Sequence, residues 1–165
     1  MLGRLLPSSL NNATYQGSWL AVWLFVPVLL AKTLMGFNFS GFNPLISVAG
    51  ILESVDGIPL SSFSTNAAAA VLDSAASWGV ALFSLCVFGW FVVLRYRSGL
   101  PLAILVFLIE QLGRTGAGLV TSLSDWAANS TAPSLAAIIN LSFSGVLMAA
   151  FVLSLLRVRA APTQG

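Results

Sequence analysis

The sequence predicts an all-α polytopic membrane protein, with four transmembrane helices in a bundle and a short amphipathic interfacial helix in the first outer loop, all in one domain over 1–165. Three observations predict it. Of the residues, 58% are hydrophobic and only 7% are charged, whereas a soluble domain carries about 25% charged residues. The mean hydropathy is +0.94. Apolar runs of roughly 20 residues, long enough to cross a hydrocarbon layer about 30 Å thick, recur along the chain between polar or basic joints.

The composition also excludes several chemistries. A net charge of +2 comes from seven basic and five acidic side chains with no basic patch, so nucleic acid is not an expected partner. There is no histidine and a single cysteine, Cys86, inside an apolar run. Imidazole metal sites, bis-His haem, imidazole proton relays and a C-x-x-C thiol relay therefore have no residues to work with. Cys86 is read as a small buried apolar residue.

The first helix is expected at about 18–37. Behind a short polar start with Arg4 as its one charge, Trp19 and Trp23 open the run SWLAVWLFVPVLLAKTLMGF. It is long for a signal-peptide core and no A-x-A-like cleavage site follows, so it is read as a retained span. Pro27 removes a backbone donor and is expected to bend it. Lys32 sits toward its far end, either as a snorkelling side chain or as a member of an internal polar site.

Residues 38–66 are too many for a simple turn and too broken to cross. An interfacial helix is expected at about 44–55, with Asn43 as N-cap and Pro44 at the first helical position. Leu45, Val48, Ala49, Leu52 and Val55 recur at helical spacing, and Glu53, Asp56 and Gly57 close the segment. That pattern suits a helix lying on or dipping into a membrane surface.

The second span, about 67–94, has Ser64, Thr65 and Asn66 as possible caps. Its first half is built from Ala and Ser, with Asp73 and Ser77 one turn apart, a face suited to close packing. Arg95-Tyr96-Arg97-Ser98-Gly99 makes a tight basic turn. The third span, about 100–120, carries Glu110 and Arg114 four residues apart and so on one face. Gly113, Gly116, Ala117 and Gly118 thin its far end. A polar loop with Asp125 and Trp126 then leads past Pro133 to the fourth span, about 134–156, which holds Asn140 near its start and ends at Arg157 and Arg159.

Basic residues set the orientation. Arg4, Arg95, Arg97, Arg157 and Arg159 fall at one set of ends, and the opposite loops hold Glu53, Asp56 and Asp125 without Lys or Arg. The positive-inside rule then places both termini in the cytoplasm. With a helical rise of about 1.5 Å per residue, Lys32, Asp73, Arg114 and Asn140 come to one layer in the outer half, with Glu110 about one turn deeper. Ionisable groups at such depth face a partner, a cavity or a pathway. The five residues are the candidate ligand-binding cluster, and the alternative is a structural salt-bridge network that fixes helix register.

Other signals are weak. N-x-[ST] triplets occur at Asn12, Asn38, Asn129 and Asn140, but the first is placed inside the cell and the last within a helix. Trp19, Trp90 and Trp126 are read as interface anchors. No phosphate loop, metal-ligand spacing or nucleophile triad is present, so catalytic residues are not assigned and the chain is expected not to be an enzyme.

A first helix ending in a lysine, a long outer connection, a second helix with an acidic residue near its start and a basic turn into the third helix together resemble the small DoxX-like family. The stretches Asp56-Gly57-Ile58-Pro59-Leu60, Leu94-Arg95-Tyr96-Arg97 and Leu108-Ile109-Glu110-Gln111-Leu112-Gly113-Arg114 are similar to uncharacterised four-helix bacterial members. The resemblance implies a multi-pass protein of the bacterial inner membrane, with Lys32 and Asp73 at matching positions, although a glutamate is more usual where Asp73 stands. It also implies, for some members, a link to quinone-dependent sulfur oxidation or thiol stress. Quinone is thus the one cofactor suggested, and only through the resemblance. Three functions are expected to compete: a non-enzymatic accessory protein or subunit with a membrane-protein partner or a second copy, a quinone-linked or lipid- or small-molecule-binding protein, and a small transporter, which the lack of inverted repeats disfavours.

Overall fold

The computed structural model describes residues 15, 17–55, 57–126 and 135–156, and of 118–126 and 135–137 the backbone alone. Arg4, Asn12, Asp56, Asn129, Pro133, Arg157 and Arg159 lie outside the described residues, as do the side chains of Asp125 and Trp126. Among the described residues five α-helices follow in chain order: α1 Trp19–Phe39, α2 Val48–Ser54, α3 Thr65–Arg95, α4 Leu100–Trp126 and α5 Leu135–Leu155. One-turn 3-10 helices stand at Leu60–Ser62 and Arg97–Gly99, and there is no strand among the described residues. Four of the helices are long and apolar enough to cross a membrane.

Local chemistry accounts for the starts of these helices. The Ser18 hydroxyl accepts from the Leu20 amide at 3.3 Å and the Ser64 hydroxyl from the Ala67 amide at 3.3 Å, the capping geometry that serine favours. In α2 the cap is Ser47, which accepts from the Gly50 amide at 3.1 Å, so the expected start at Asn43 and Pro44 is displaced by about one turn. Asn43 is occupied otherwise: its side-chain oxygen accepts from the Leu45 amide at 2.9 Å and its Nδ2 donates to Asn38 at 2.8 Å. This local turn competes with helix at an asparagine. α4 runs six residues past its expected end, to Trp126. Residues 121–126 contain neither Gly nor Pro, and a helix already formed extends cheaply through moderately polar residues.

The long helices are tied through α1, which packs on α3 along one side and on α5 along another, while α4 packs chiefly on α5. α1 and α4 meet through long side chains, with the Phe25 and Phe107 rings edge-on at 5.3 Å. Two glycines bring α1 and α3 together. A Cβ on Gly36 would lie 2.7 Å from the Phe83 amide nitrogen, and one on Gly79 would overlap the Phe39 and Ser40 backbone. The main core is built on Phe25, Leu29, Leu82, Cys86, Ile104, Phe107 and Leu147.

A second, smaller core lies beyond the C-terminal end of α1. Phe39, Leu52 and Leu60 are buried there, with Val48 and Ile51 of α2 packed near Val71, Leu72, Ala75 and Trp78 of α3. α2 therefore rests on the first turns of α3, which continue past the end of α1. Gly41 and Gly57 flank the segment with φ of 76° and 69°, left-handed values that suit glycine.

Candidate functional site

The polar centre is assembled from three helices. Lys32 of α1 is 0% exposed, and its Nζ donates to Glu110 Oε2 of α4 in an ion pair. An ammonium group removed from water needs such a partner. Glu110 Oε1 in turn faces Arg114 Nε at 3.7 Å, an (i, i+4) contact within α4. This is longer than a hydrogen bond, and Glu110 Oε1 is buried without one. Arg114 Nη2 continues the chain by donating to Asn140 Oδ1 of α5 at 2.9 Å and to Gln111 Oε1 at 3.4 Å.

Gln111, fully buried, closes the link to α5. Its Nε2 donates to the Asn140 backbone oxygen at 3.0 Å and to Asn140 Oδ1 at 3.3 Å. One turn further, Thr115 Oγ1 donates to the Gln111 carbonyl at 2.9 Å and lies 3.4 Å from Ser144 Oγ. Ser144 itself donates to the Asn140 carbonyl at 2.9 Å. Side chain and backbone thus interlock along the α4 and α5 seam. Where α3 approaches, the Arg114 guanidinium sits over the Trp78 ring, 4.7 Å from its centroid, a favourable cation–π placement. Below it, Trp90 Nε1 donates to Thr33 Oγ1 at 2.9 Å, linking α3 to α1.

Of the five residues predicted to converge, four do: Lys32, Glu110, Arg114 and Asn140. Asp73 does not. Its side chain is exposed, with no hydrogen bond or ion pair to any described residue. The end of α1 packs against Gly79, and Asp73 stands six residues nearer the α3 N-terminus, about 9 Å further along the axis. Depth counting from each helix start assumed that all four helices begin at one level. α3, with 31 residues against 21 in α1 and α5, begins well above them.

Gln111 and Trp78 were missed by sequence reasoning. Gln111 had a signal: with Thr115 it forms an (i, i+4) polar stripe turned about 100° from Glu110, and hence toward a different helix. Trp78 had none, because an aromatic residue in an apolar span looks the same whether it packs on a cation or on leucine.

Against this network lies a cavity of about 270 Å³, lined by Met35, Phe39, Leu52, Val55, Ala75, Trp78, Ile139, Arg114 and Asn140. Two of the α2-segment residues cover it, and Arg114 with Asn140 is its polar corner. Among the described residues no group of three His, Cys, Asp or Glu side chains comes together to hold a metal. Cys86 is a buried free thiol. No family model, curated protein or solved structure matches the chain.

Proposed function

We propose that this chain is a non-enzymatic, multi-pass membrane protein of DoxX-like type that binds a small molecule in the cavity beside its polar network. The observation that carries the reading is the position of that cavity. Its apolar walls end at Arg114 and Asn140, whose side chains are held by Gln111 and one another, as an orienting polar group in an apolar pocket is held. The four long helices would cross the bacterial inner membrane as a bundle with both termini in the cytoplasm. Support comes from their outward faces, where Trp23, Leu34, Leu94, Leu102, Ile109 and Leu141 are exposed, a surface suited to lipid and not to water. α2 would lie at the outer interface, where Leu45, 91% exposed, and Phe42 present apolar surface beside it.

If the ligand were a quinone, the cofactor that the DoxX-like resemblance implies, Arg114 and Asn140 would hold a carbonyl oxygen and the quinone would supply two-electron redox chemistry. The test of ligand binding is a substitution that fills the cavity from the α2 side, Leu52→Trp, in purified protein reconstituted into nanodiscs. Co-purifying small molecules, extracted and weighed by mass spectrometry, are expected with the native chain and lost from the variant. Equal content in both, or none in either, removes the reading.

A second reading, an accessory subunit docking a partner helix, is favoured by Asp73, Ser74 and Ser77, all exposed on the first half of α3. Purification in mild detergent separates the two: a monodisperse, partner-free monomer that binds a small molecule counts against the subunit.

A further inference from the structure

We infer that the end of the molecule at Arg97 carries a binding site for one anionic phospholipid, whose phosphate pairs with Arg97 and whose acyl chain lies along the outward face of α1. The site is remote from the cavity and does not depend on what fills it. Under the orientation proposed above, this lipid belongs to the cytoplasmic leaflet.

The protein itself holds this guanidinium in place. Arg97 opens the 3-10 turn that follows α3, and its Nε donates to the Val93 carbonyl at 3.3 Å, in the last turn of α3 where helical carbonyls lose their amide partners. The guanidinium carbon stands 5.2 Å from the centroid of the Trp19 ring of α1, a cation–π contact between the two helices. Arg97 is nevertheless exposed. With Nε turned to α3 and one face on the indole, the fork of Nη donors is open to an acceptor from outside the protein, and a phosphate takes such a fork in a bidentate pair.

No acidic side chain of the 165 residues can neutralise this end. The five acids are Glu53, Asp56, Asp73, Glu110 and Asp125. Asp73 is about 33 Å from Arg95 along α3, and Asp125 about 37 Å from Leu100 along α4. Glu53 and Asp56 are within two residues of Val55, which shares the cavity with Ala75, itself about 30 Å from Arg95 along α3. Glu110 is about 15 Å from Leu100 and is engaged by Lys32. A choline or ethanolamine ammonium brought here meets arginine and no carboxylate, and the Trp19 ring that could face a choline carries the guanidinium instead. An anionic headgroup meets charge of opposite sign. The acyl chain has a track as well. Trp19, Trp23, Pro27, Leu30 and Leu34 are exposed at helical spacing, so an apolar stripe runs along α1 from beneath Arg97. Half of a hydrocarbon layer is about 15 Å, or about ten residues of helix, so an acyl chain descending from Arg97 covers Trp19, Trp23 and Pro27.

The experiment titrates the full-length protein in detergent with phosphatidylglycerol or phosphatidylcholine of identical acyl chains, and native mass spectrometry counts the lipids bound. The native protein is expected to hold one phosphatidylglycerol about fivefold more tightly than phosphatidylcholine, the factor that one interfacial arginine supplies. Arg97→Gln is expected to remove that preference. Trp19→Leu, which keeps the charge but not the ring beneath it, is expected to weaken phosphatidylglycerol binding about threefold. Both residues lie at the surface, so lipid-free thermal unfolding is expected to be unchanged, and a loss of binding in either folded variant supports the site. Arg95→Gln, an exposed arginine in the last turn of α3, is the control for charge alone and is expected to keep the preference. Equal affinity of the native protein for the two lipids overturns the proposal. So does an equal loss in Arg95→Gln and Arg97→Gln, which would make the preference one of net charge. Glycerol phosphate is expected not to displace the lipid, and displacement at comparable concentration would assign the site to a free phosphate ester, overturning the lipid. None of these outcomes bears on the cavity, which Leu52→Trp tests separately.

Discussion

Lys32 and Glu110 form the pair on which the polar centre depends, and removing one partner is unlike removing both. Glu110→Gln leaves a fully buried ammonium without its carboxylate, and the expected loss is about 3–5 kcal/mol. Lys32→Met combined with Glu110→Gln removes the charge as well and is expected to recover most of that loss, read from thermal unfolding of the detergent-purified protein. If the double variant is as unstable as Glu110→Gln, the pair is not the source of the penalty. Asp73→Asn sets the contrast: an exposed side chain away from the network is expected to change stability by less than about 0.5 kcal/mol. The residue types in this centre were legible in the sequence, because each charge within an apolar run stands out. Their partners were not. The (i, i+4) spacing put Glu110 and Arg114 on one face, yet Glu110 makes its stronger contact with Lys32 and Arg114 with Asn140.

At the scale of elements, glycine means different things in different helices. Gly36 and Gly79 stand where α1 and α3 touch backbone to backbone, and Gly36→Ala would drive a methyl group to 2.7 Å from the Phe83 nitrogen. The expected cost is about 1–3 kcal/mol, as for other overpacked contacts. Gly116 has no described atom within 4 Å of a built Cβ, and Gly116→Ala is expected to stabilise α4 by about 0.5–1 kcal/mol. Thermal unfolding of the two variants in the same detergent checks the opposite signs. The sequence reading placed close packing at Gly113, Gly116, Ala117 and Gly118, yet no described atom lies within 4 Å of a Cβ built on Gly113 or Gly116, and it did not single out Gly36 or Gly79. Small residues show that approach is permitted, but which helix approaches depends on the arrangement of all of them. The span positions, in contrast, were readable to within a few residues except at the far end of α4. Apolar run length sets a span, whereas the polar stretch 121–126 has no breaker to mark where its helix stops.

For the whole molecule, the proposed orientation predicts which surfaces a membrane-impermeant reagent reaches. In a Cys86→Ala background, Leu45→Cys is expected to react with an impermeant maleimide added to intact cells, and Arg97→Cys only after the inner membrane is opened. The reverse pattern inverts the topology. The class of fold was evident from composition because hydrocarbon thickness fixes how long an apolar run must be. The spatial order of the helices was not. α1 takes the position between α3 and α5, and the sequence carries no local mark of which helix will sit next to which.

The separation of Lys32 from Glu110, 78 residues along the chain, also has a consequence in time. Synthesis at about 5–20 residues per second puts several seconds between the emergence of the two residues. Through that interval α1 would enter the bilayer carrying a lone cation, at a cost of up to about 3 kcal/mol on insertion scales. The apolar remainder of α1, together with α3 arriving next to cover Gly36, would have to hold it there until its counter-ion is made. A chain truncated before residue 110 is therefore expected to be a target for membrane quality control, whereas one that includes Glu110 and the rest of α4 is not.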